Sequence, residues 1–339
     1  MAKVARPTTI TDKTLNRIIL IAGLGLLIGI PAFVGFYFLD RHVDSAPPIA
    51  DQHITTAEAA VKANPTDGAA RDMLAAAYVS AGRFQDGVDQ FTEALKITAT
   101  DRSALLGRGI AYYQLKQYDS AAKDLQTFIT QNGTGEFAKQ DPQLERTYYE
   151  LGVVQAAQNK WAESVASEEA ALKIDGGDAD ALYSLGVGLT KTGNPAKGAE
   201  ALKQAVAFVP TGWCDPYQGL VDAYTAAKDT DGVTYANGMV AMCNGDYAAA
   251  TTALKPLTSS KTYGSDALIG LALTAGRAGD NASARSYYQQ VLAKDSSNQS
   301  AIIGLSQLGG APSSAAPGAS PSPGASQTSP ASPAPSESN

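Results

Sequence analysis

The sequence predicts an all-α protein: one N-terminal membrane helix, then a stack of antiparallel helical hairpins, then a tail with little to bury. Three observations carry this expectation. Residues 18–39 form an uncharged run of 22 residues. Beyond it, small and large apolar residues recur at a spacing of 34. The composition is 44% hydrophobic but only 7% aromatic, an Ala-rich mix that suits helices packed closely through small side chains.

The first element is Ile18–Leu39. As a helix it is about 33 Å long at 1.5 Å per residue, enough for a hydrocarbon core of roughly 30 Å. Lys3, Arg6, Lys13 and Arg17 precede it, while Arg41 follows beside Asp40 and Asp44. This bias keeps residues 1–17 in the cytoplasm and sends everything after residue 40 across the plasma (inner) membrane. Tyr37 fits the outer interface. The competing reading is a cleaved secretory signal, whose apolar region is about 7–15 residues and so shorter than this run. Either way the bulk of the chain lies outside the cytoplasm. Gly25 and Gly29 form a small-xxx-small pair that lets membrane helices touch, or reflect how common Gly is in such helices. Residues 40–53 read as a linker.

The hairpins occupy residues 54–309. A half unit, Ala57 to Pro65, comes first. Leu74, Tyr78, Gly82, Phe84, Phe91, Ala94 and Leu95 set the pattern of a full unit. Thirty-four residues on, Gly109, Tyr112, Lys116, Tyr118, Leu125 and Phe128 repeat it. An insert from Glu136 to Leu144, containing Pro142, precedes a third unit with Tyr148, Leu151, Gly152, Trp161, Ala171, Leu172 and Ile174. The fourth has Leu182, Leu185, Gly186, Gly193, Ala205, Val206, Phe208 and Pro210, and a later one Leu271, Gly279, Ala284, Tyr288 and Leu292. Gly152 and Gly186 let paired helices approach, Tyr78 and Tyr112 fill the space left, and Gly82 and Gly193 end a helix where a left-handed residue is needed. Pro65 and Pro210 stop second helices. No hairpin can bury its apolar face alone, so they must stack. Beyond Pro216 the register is ambiguous, and three consecutive helices are expected there. A short helix over 300–308 should cap the array.

These residues resemble the tetratricopeptide repeat family, with 148–175 and 181–210 the closest matches. The resemblance covers residues 54–309 and implies a right-handed solenoid. It also implies that first helices line a groove for protein or peptide segments. Positions matching the family's contact residues are Asp72 and Ala76; Leu106, Ile110 and Tyr113; Arg146, Tyr149 and Val153; and Asp180, Tyr183 and Val187. The basic clamp that some members use for acidic chaperone tails has no match here. Of these, Leu106, Ile110, Tyr113, Tyr149, Val153, Tyr183 and Val187 are the candidate partner contacts, with the three Tyr as anchors. The alternative is that the Tyr rings pack within the hairpins.

Several functions are disfavoured. The only His residues, His42 and His53, precede the array, which removes His-based catalysis and metal binding from it. No phosphate loop, nucleotide fingerprint, nucleophile elbow or metal spacing occurs, so neither a cofactor nor a small-molecule substrate is expected, and the chain does not read as an enzyme. The net charge of −7 argues against nucleic acid. Glu168 and Glu169 fall where a solvated face of a second helix is expected. Cys214 opens one expected helix and Cys243 closes the next, which places both at one end of a hairpin. In an oxidising compartment this favours a disulfide, the alternative being two buried free thiols.

Residues 310–339 hold nine Ser, seven Pro and seven Ala, with Glu337 the one charge, a composition expected to be disordered. Asn132, Asn281 and Asn298 begin Asn-x-Ser/Thr triplets, relevant only in a eukaryotic secretory pathway. Together these features lead to a membrane-tethered scaffold or assembly factor of the bacterial cell envelope. The rival is a mainly structural envelope protein whose tail reaches the wall or carries sugar.

Overall fold

A computed structural model of the chain describes residues 49–208 and 213–309. The expected membrane helix at 18–39, the start of the linker and the tail lie outside the described residues. No described helix is long and apolar enough to cross a membrane. The described residues contain fifteen α-helices and no strand. They fall into two compact units, divided between Ser184 and Leu185.

The first unit holds α1 (Ile49–Ala63), α2 (Gly68–Ser80), α3 (Phe84–Ile97), α4 (Arg102–Gln114), α5 (Tyr118–Asn132), α6 (Pro142–Ala157), α7 (Trp161–Leu172) and the beginning of α8 (Ala179–Lys191). Helices adjacent in sequence pack against one another from α1 to α7. α1 starts inside the stretch read as linker and lays Ile54 and Ala57 on Leu74 and Tyr78 of α2. The insert lies three residues earlier than the sequence suggested: residues 133–141 join α5 to α6, with a 3₁₀ turn at Ala138–Gln140, and Pro142 is already the first residue of α6, where a missing N–H costs nothing.

One rule places the first helices. An Asp just before each accepts hydrogen bonds from the exposed N–H groups of its first turn. Asp67 bonds the N–H of Ala70, Asp101 those of Ser103 and Ala104, Asp141 those of Gln143 and Leu144, and Asp178 those of Asp180 and Ala181. A second rule closes each hairpin. In the turn a residue takes positive φ, and the next N–H reaches back five residues, as from Arg83 to the Tyr78 carbonyl at 2.8 Å. Gly82 serves this role at φ 76°, but Lys116 and Asn159 do so at φ 59°. A third rule sets the spacing. A small residue on a first helix receives the large side chain sixteen positions later, so a Cβ on Gly109 would lie 2.9 Å from Leu125. Arg108 crosses this interior and donates to Asp124 Oδ2 and Oδ1 at 2.6 and 2.9 Å.

The second unit holds the remainder of α8, then α9 (Pro195–Phe208), α10 (Asp215–Ala227), α11 (Thr230–Cys243), α12 (Tyr247–Leu254), α13 (Gly264–Arg277), α14 (Asn281–Lys294) and α15 (Gln299–Gln307). α10, α11 and α12 are three successive helices in the region of ambiguous register. A 3₁₀ turn, Lys255–Ser259, fills the place of further α-helix after α12. The interior has Leu202, Leu220, Met239, Met242, Leu254 and Leu271 fully or almost fully buried. Tyr263 packs edge-on against Tyr224 and stacks on Tyr235, with centroids 5.7 and 5.9 Å away, and its hydroxyl donates to Asp229. Cys214, just before α10, and Cys243, the last residue of α11, form a disulfide with Cα atoms 6.0 Å apart. α15 covers α14 through Ala301 and Leu305.

Candidate partner-binding face

In the first unit, first helices α4 and α6 are neighbours, and their outward residues form one face. Leu106, Ile110 and Tyr113 follow one another at helical spacing on α4. Leu106 is buried with Leu105, Leu125 and Phe128, so the core takes up most of its side chain. Ile110 and Tyr113 are half-buried against the same cluster, and Tyr113 leans on Tyr118 with ring centroids 5.9 Å apart. Their exposed edges stay available. Burial, then Tyr118 and Glu150, raise the pKa of the Tyr113 hydroxyl. The influence of Glu150 joins α4 to α6 electrostatically.

On α6, Arg146, Tyr149 and Val153 share a face. Arg146 is exposed and makes only a long contact of 3.5 Å to Glu150. Tyr149 and Val153 are half-buried. Burial raises the Tyr149 hydroxyl pKa, and so do Asp180, Glu150, Glu168 and Asp178. Tyr183 is half-buried at the end of the first unit; Val187, also half-buried, belongs to the second. Asp72 on α2 is hydrogen-bonded to Asp101, and burial together with that pairing pushes its pKa up to about 7.

The carboxylates around Tyr149 form the most unusual chemistry in the chain. Glu168 does not sit on a solvated face of α7, as the sequence suggested, but is completely buried, with neither carboxyl oxygen hydrogen-bonded. Its position explains why. Phe91, Leu125, Leu202 and Leu254 each lie sixteen residues after a small residue of a first helix, and Glu168 holds the same place after Gly152. Its carboxyl lies against Gly152, where a Cβ would collide with Oε1. Burial, then Asp178, Glu145 and Glu150, push its pKa up to about 10. Glu145 is hydrogen-bonded through one oxygen to the Asp178 carboxyl while its Oε1 is buried without a partner. Burial and Asp178 push it up to about 8. The sequence signal was present, since a carboxylate breaks an otherwise apolar series, but a count of charges on the α7 surface hides it. Glu169, its neighbour, is exposed as expected.

Chemically this face offers rings and carboxylates but no nucleophile activated by a base. Among the described residues no three His, Cys, Asp or Glu side chains converge on a metal-binding arrangement. The second unit has a separate, mainly apolar cavity of about 300 Å³, with Tyr217, Leu220, Tyr235 and Met239 in its wall and a Lys203–Asp266 ion pair of 2.6 Å at its side.

Comparison with known proteins places this geometry. The family model described as tetratricopeptide repeat matches residues 73–136, 108–179, 149–212 and 235–301. Small glutamine-rich tetratricopeptide repeat-containing protein 2 of Saccharomyces cerevisiae is 30% identical over 96 residues, which is 28% of this chain and 25% of that protein. The chain therefore spans about a quarter of the length of that curated relative. Among solved structures, MamA is 20% identical with a TM-score of 0.44, over 50% of this chain and 94% of its own. The C-terminal part of a repeat protein from Cytophaga hutchinsonii is 15% identical with a TM-score of 0.46, over 76% and 94%. YrrB, described as having an unusual peptide-binding site, is 14% identical with a TM-score of 0.37, over 74% and 97%.

Proposed function

The chain belongs to the tetratricopeptide repeat family, and from that premise we propose that it is a membrane-tethered scaffold or assembly factor acting outside the cytoplasm. Proteins of this family act as protein–protein interaction scaffolds. The finer reading is that residues 18–39 anchor the chain, with residues 1–17 in the cytoplasm. The hairpins then hold extended or helical segments of envelope proteins. The charge bias around the apolar run supports the tether and its orientation. The observation that carries the binding role is the face of α4 and α6, where Ile110, Tyr113, Tyr149 and Val153 are half-buried. Half-buried Tyr offers a rigid ring for contact and a hydroxyl to orient the partner.

The test is crosslinking of the full-length protein in its native cell, with captured proteins identified by mass spectrometry. The expected result is a small reproducible set of envelope proteins, lost when Tyr113, Tyr149 and Tyr183 are changed to Ala with helicity unchanged. Capture of the chain alone, or only of wall material, overturns the scaffold reading in favour of a structural role.

A further inference from the structure

The acidic groups around α6 point to the chemistry of the partner. Negative charge is concentrated in one part of the molecule. Residues 49–184 carry 20 acidic and 12 basic side chains, whereas residues 185–309 carry nine of each. Within the first unit, Glu145, Glu150, Glu168, Asp178 and Asp180 surround Tyr149 or act on one another, and Arg146 is the cation that acts on them. That cation is exposed and loosely held. A run of acids alone would be an ordinary solvated surface. Glu168 is different because it is completely buried among these groups with both oxygens unpartnered. Glu145 adds a third buried oxygen without a donor. A buried carboxyl without a hydrogen bond is disfavoured, and the same place in the other units is filled by Phe, Leu or Tyr. The site therefore holds three buried carboxyl oxygens without a hydrogen-bond partner and one exposed cation beside them.

Access and shape narrow the choice of donor. A cleft of about 220 Å³, lined by Gln140, Pro142, Glu145, Ile174 and Asp175, opens beside Glu145. It has room for one long side chain. Tyr149, one helical turn after Glu145 and within electrostatic reach of Asp180, Glu150, Glu168 and Asp178, adds an aromatic ring to this acidic region, a combination that favours a flat cation. A guanidinium carries five N–H donors in a fixed plane and serves two carboxyl groups at once, which an ammonium does less well.

We propose that this acid pocket, formed by α6, α7 and the start of α8, receives an arginine side chain presented by an extended segment of a partner protein. The inference rests on the scaffold reading and specifies the class of segment it holds. Entry of the guanidinium supplies donors to Glu145 and Asp178, and brings Glu168 a positive neighbour. Glu145 then gives up the proton that burial and Asp178 keep on it. The charged groups facing that pair are Arg146, Tyr149 and Glu150 on α6, Glu168 on α7, Asp175 in the preceding loop and Asp180 on α8. Binding therefore releases protons and tightens as pH rises through about 8.

The test uses the full-length chain and a short fluorescein-labelled peptide with two arginines, compared by anisotropy with the same peptide carrying citrulline, which is uncharged but nearly the same shape. The arginine peptide should bind at least about tenfold tighter. Glu145→Gln with Glu150→Gln should abolish that difference, while Glu163→Gln, an exposed acid of α7, should leave it unchanged. Calorimetry in buffers of different ionisation heat should show proton release with the arginine peptide alone. Equal binding of both peptides overturns the inference and leaves the scaffold reading standing. A difference that Glu163→Gln reduces as much as the double change also overturns it, because diffuse charge then accounts for the binding. If the crosslinking experiment captures no protein, the scaffold reading fails on its own terms, whatever the peptides do.

Discussion

Glu168 shows how one side chain can oppose its surroundings. It fills a position built for a large apolar group, and it keeps a proton at neutral pH because ionisation there is disfavoured by burial and by Asp178, Glu145 and Glu150. The consequence for stability has a definite sign. Where a carboxyl has a higher pKa folded than unfolded, the folded state binds more protons between the two values, so stability falls as pH rises through that interval. Asp72, Glu145 and Glu168 share this direction, with folded values of about 7, 8 and 10. Urea unfolding of the first unit, followed by Trp161 fluorescence in a Trp213→Phe background, should show the midpoint falling steadily from about pH 5 to about pH 9. Glu168→Leu should stabilise this unit at neutral pH by about 1–3 kcal/mol and flatten the upper part of that profile. An unchanged midpoint in the variant would contradict the burial argument. The sequence held the clue to Glu168 in its register, but reading it required aligning second helices as strictly as first helices.

Caps and turns govern the helices. Asp141 has two partners: it caps α6 and pairs with Arg102 of α4. Asp141→Ala should cost the first unit about 1–2 kcal/mol, whereas Asp141→Asn, which retains the cap, should cost less. The turns separate by residue type. Gly193 has φ 83°, so Gly193→Val should destabilise by about 1–2 kcal/mol. Lys116 already bears the strain of φ 59°, and Lys116→Gly should stabilise by about 0.5–1 kcal/mol in the same denaturation assay. Most of this level was legible beforehand. Gly82 and Gly193 announce their turns, and the spacing of small and large residues identifies the hairpins. Lys116 and Asn159 do not announce theirs, because only the surrounding hydrogen bonds force a side-chain-bearing residue into that conformation. The early start of α1 and of α6 was equally hidden, since Pro142 reads as a break until an Asp is seen capping in front of it.

For the whole molecule, each unit carries its own fluorescent reporter, Trp161 in the first and Trp213 in the second. This lets the disulfide be tested where it acts. Cys214 and Cys243 are separated by 29 positions, and constraining such a loop in the unfolded chain contributes about 3–4 kcal/mol. Cys214→Ser with Cys243→Ser should lower the unfolding midpoint reported by Trp213, with protection of amide hydrogens in α10 and α11 reduced first. The repeat architecture was readable from periodicity alone. The candidate contact face was readable only in part: Leu106 matches a contact position of the family, yet it packs into the apolar cluster around Phe128. The departure of Glu168 from the series of Phe91, Leu125, Leu202 and Leu254 bears on engineering as well. Averaging the units into one ideal repeat would write Leu at that place in every copy. Such an averaged protein should survive heating better than its parent while losing its ear for arginine, so thermal robustness would be the wrong criterion by which to judge a redesign.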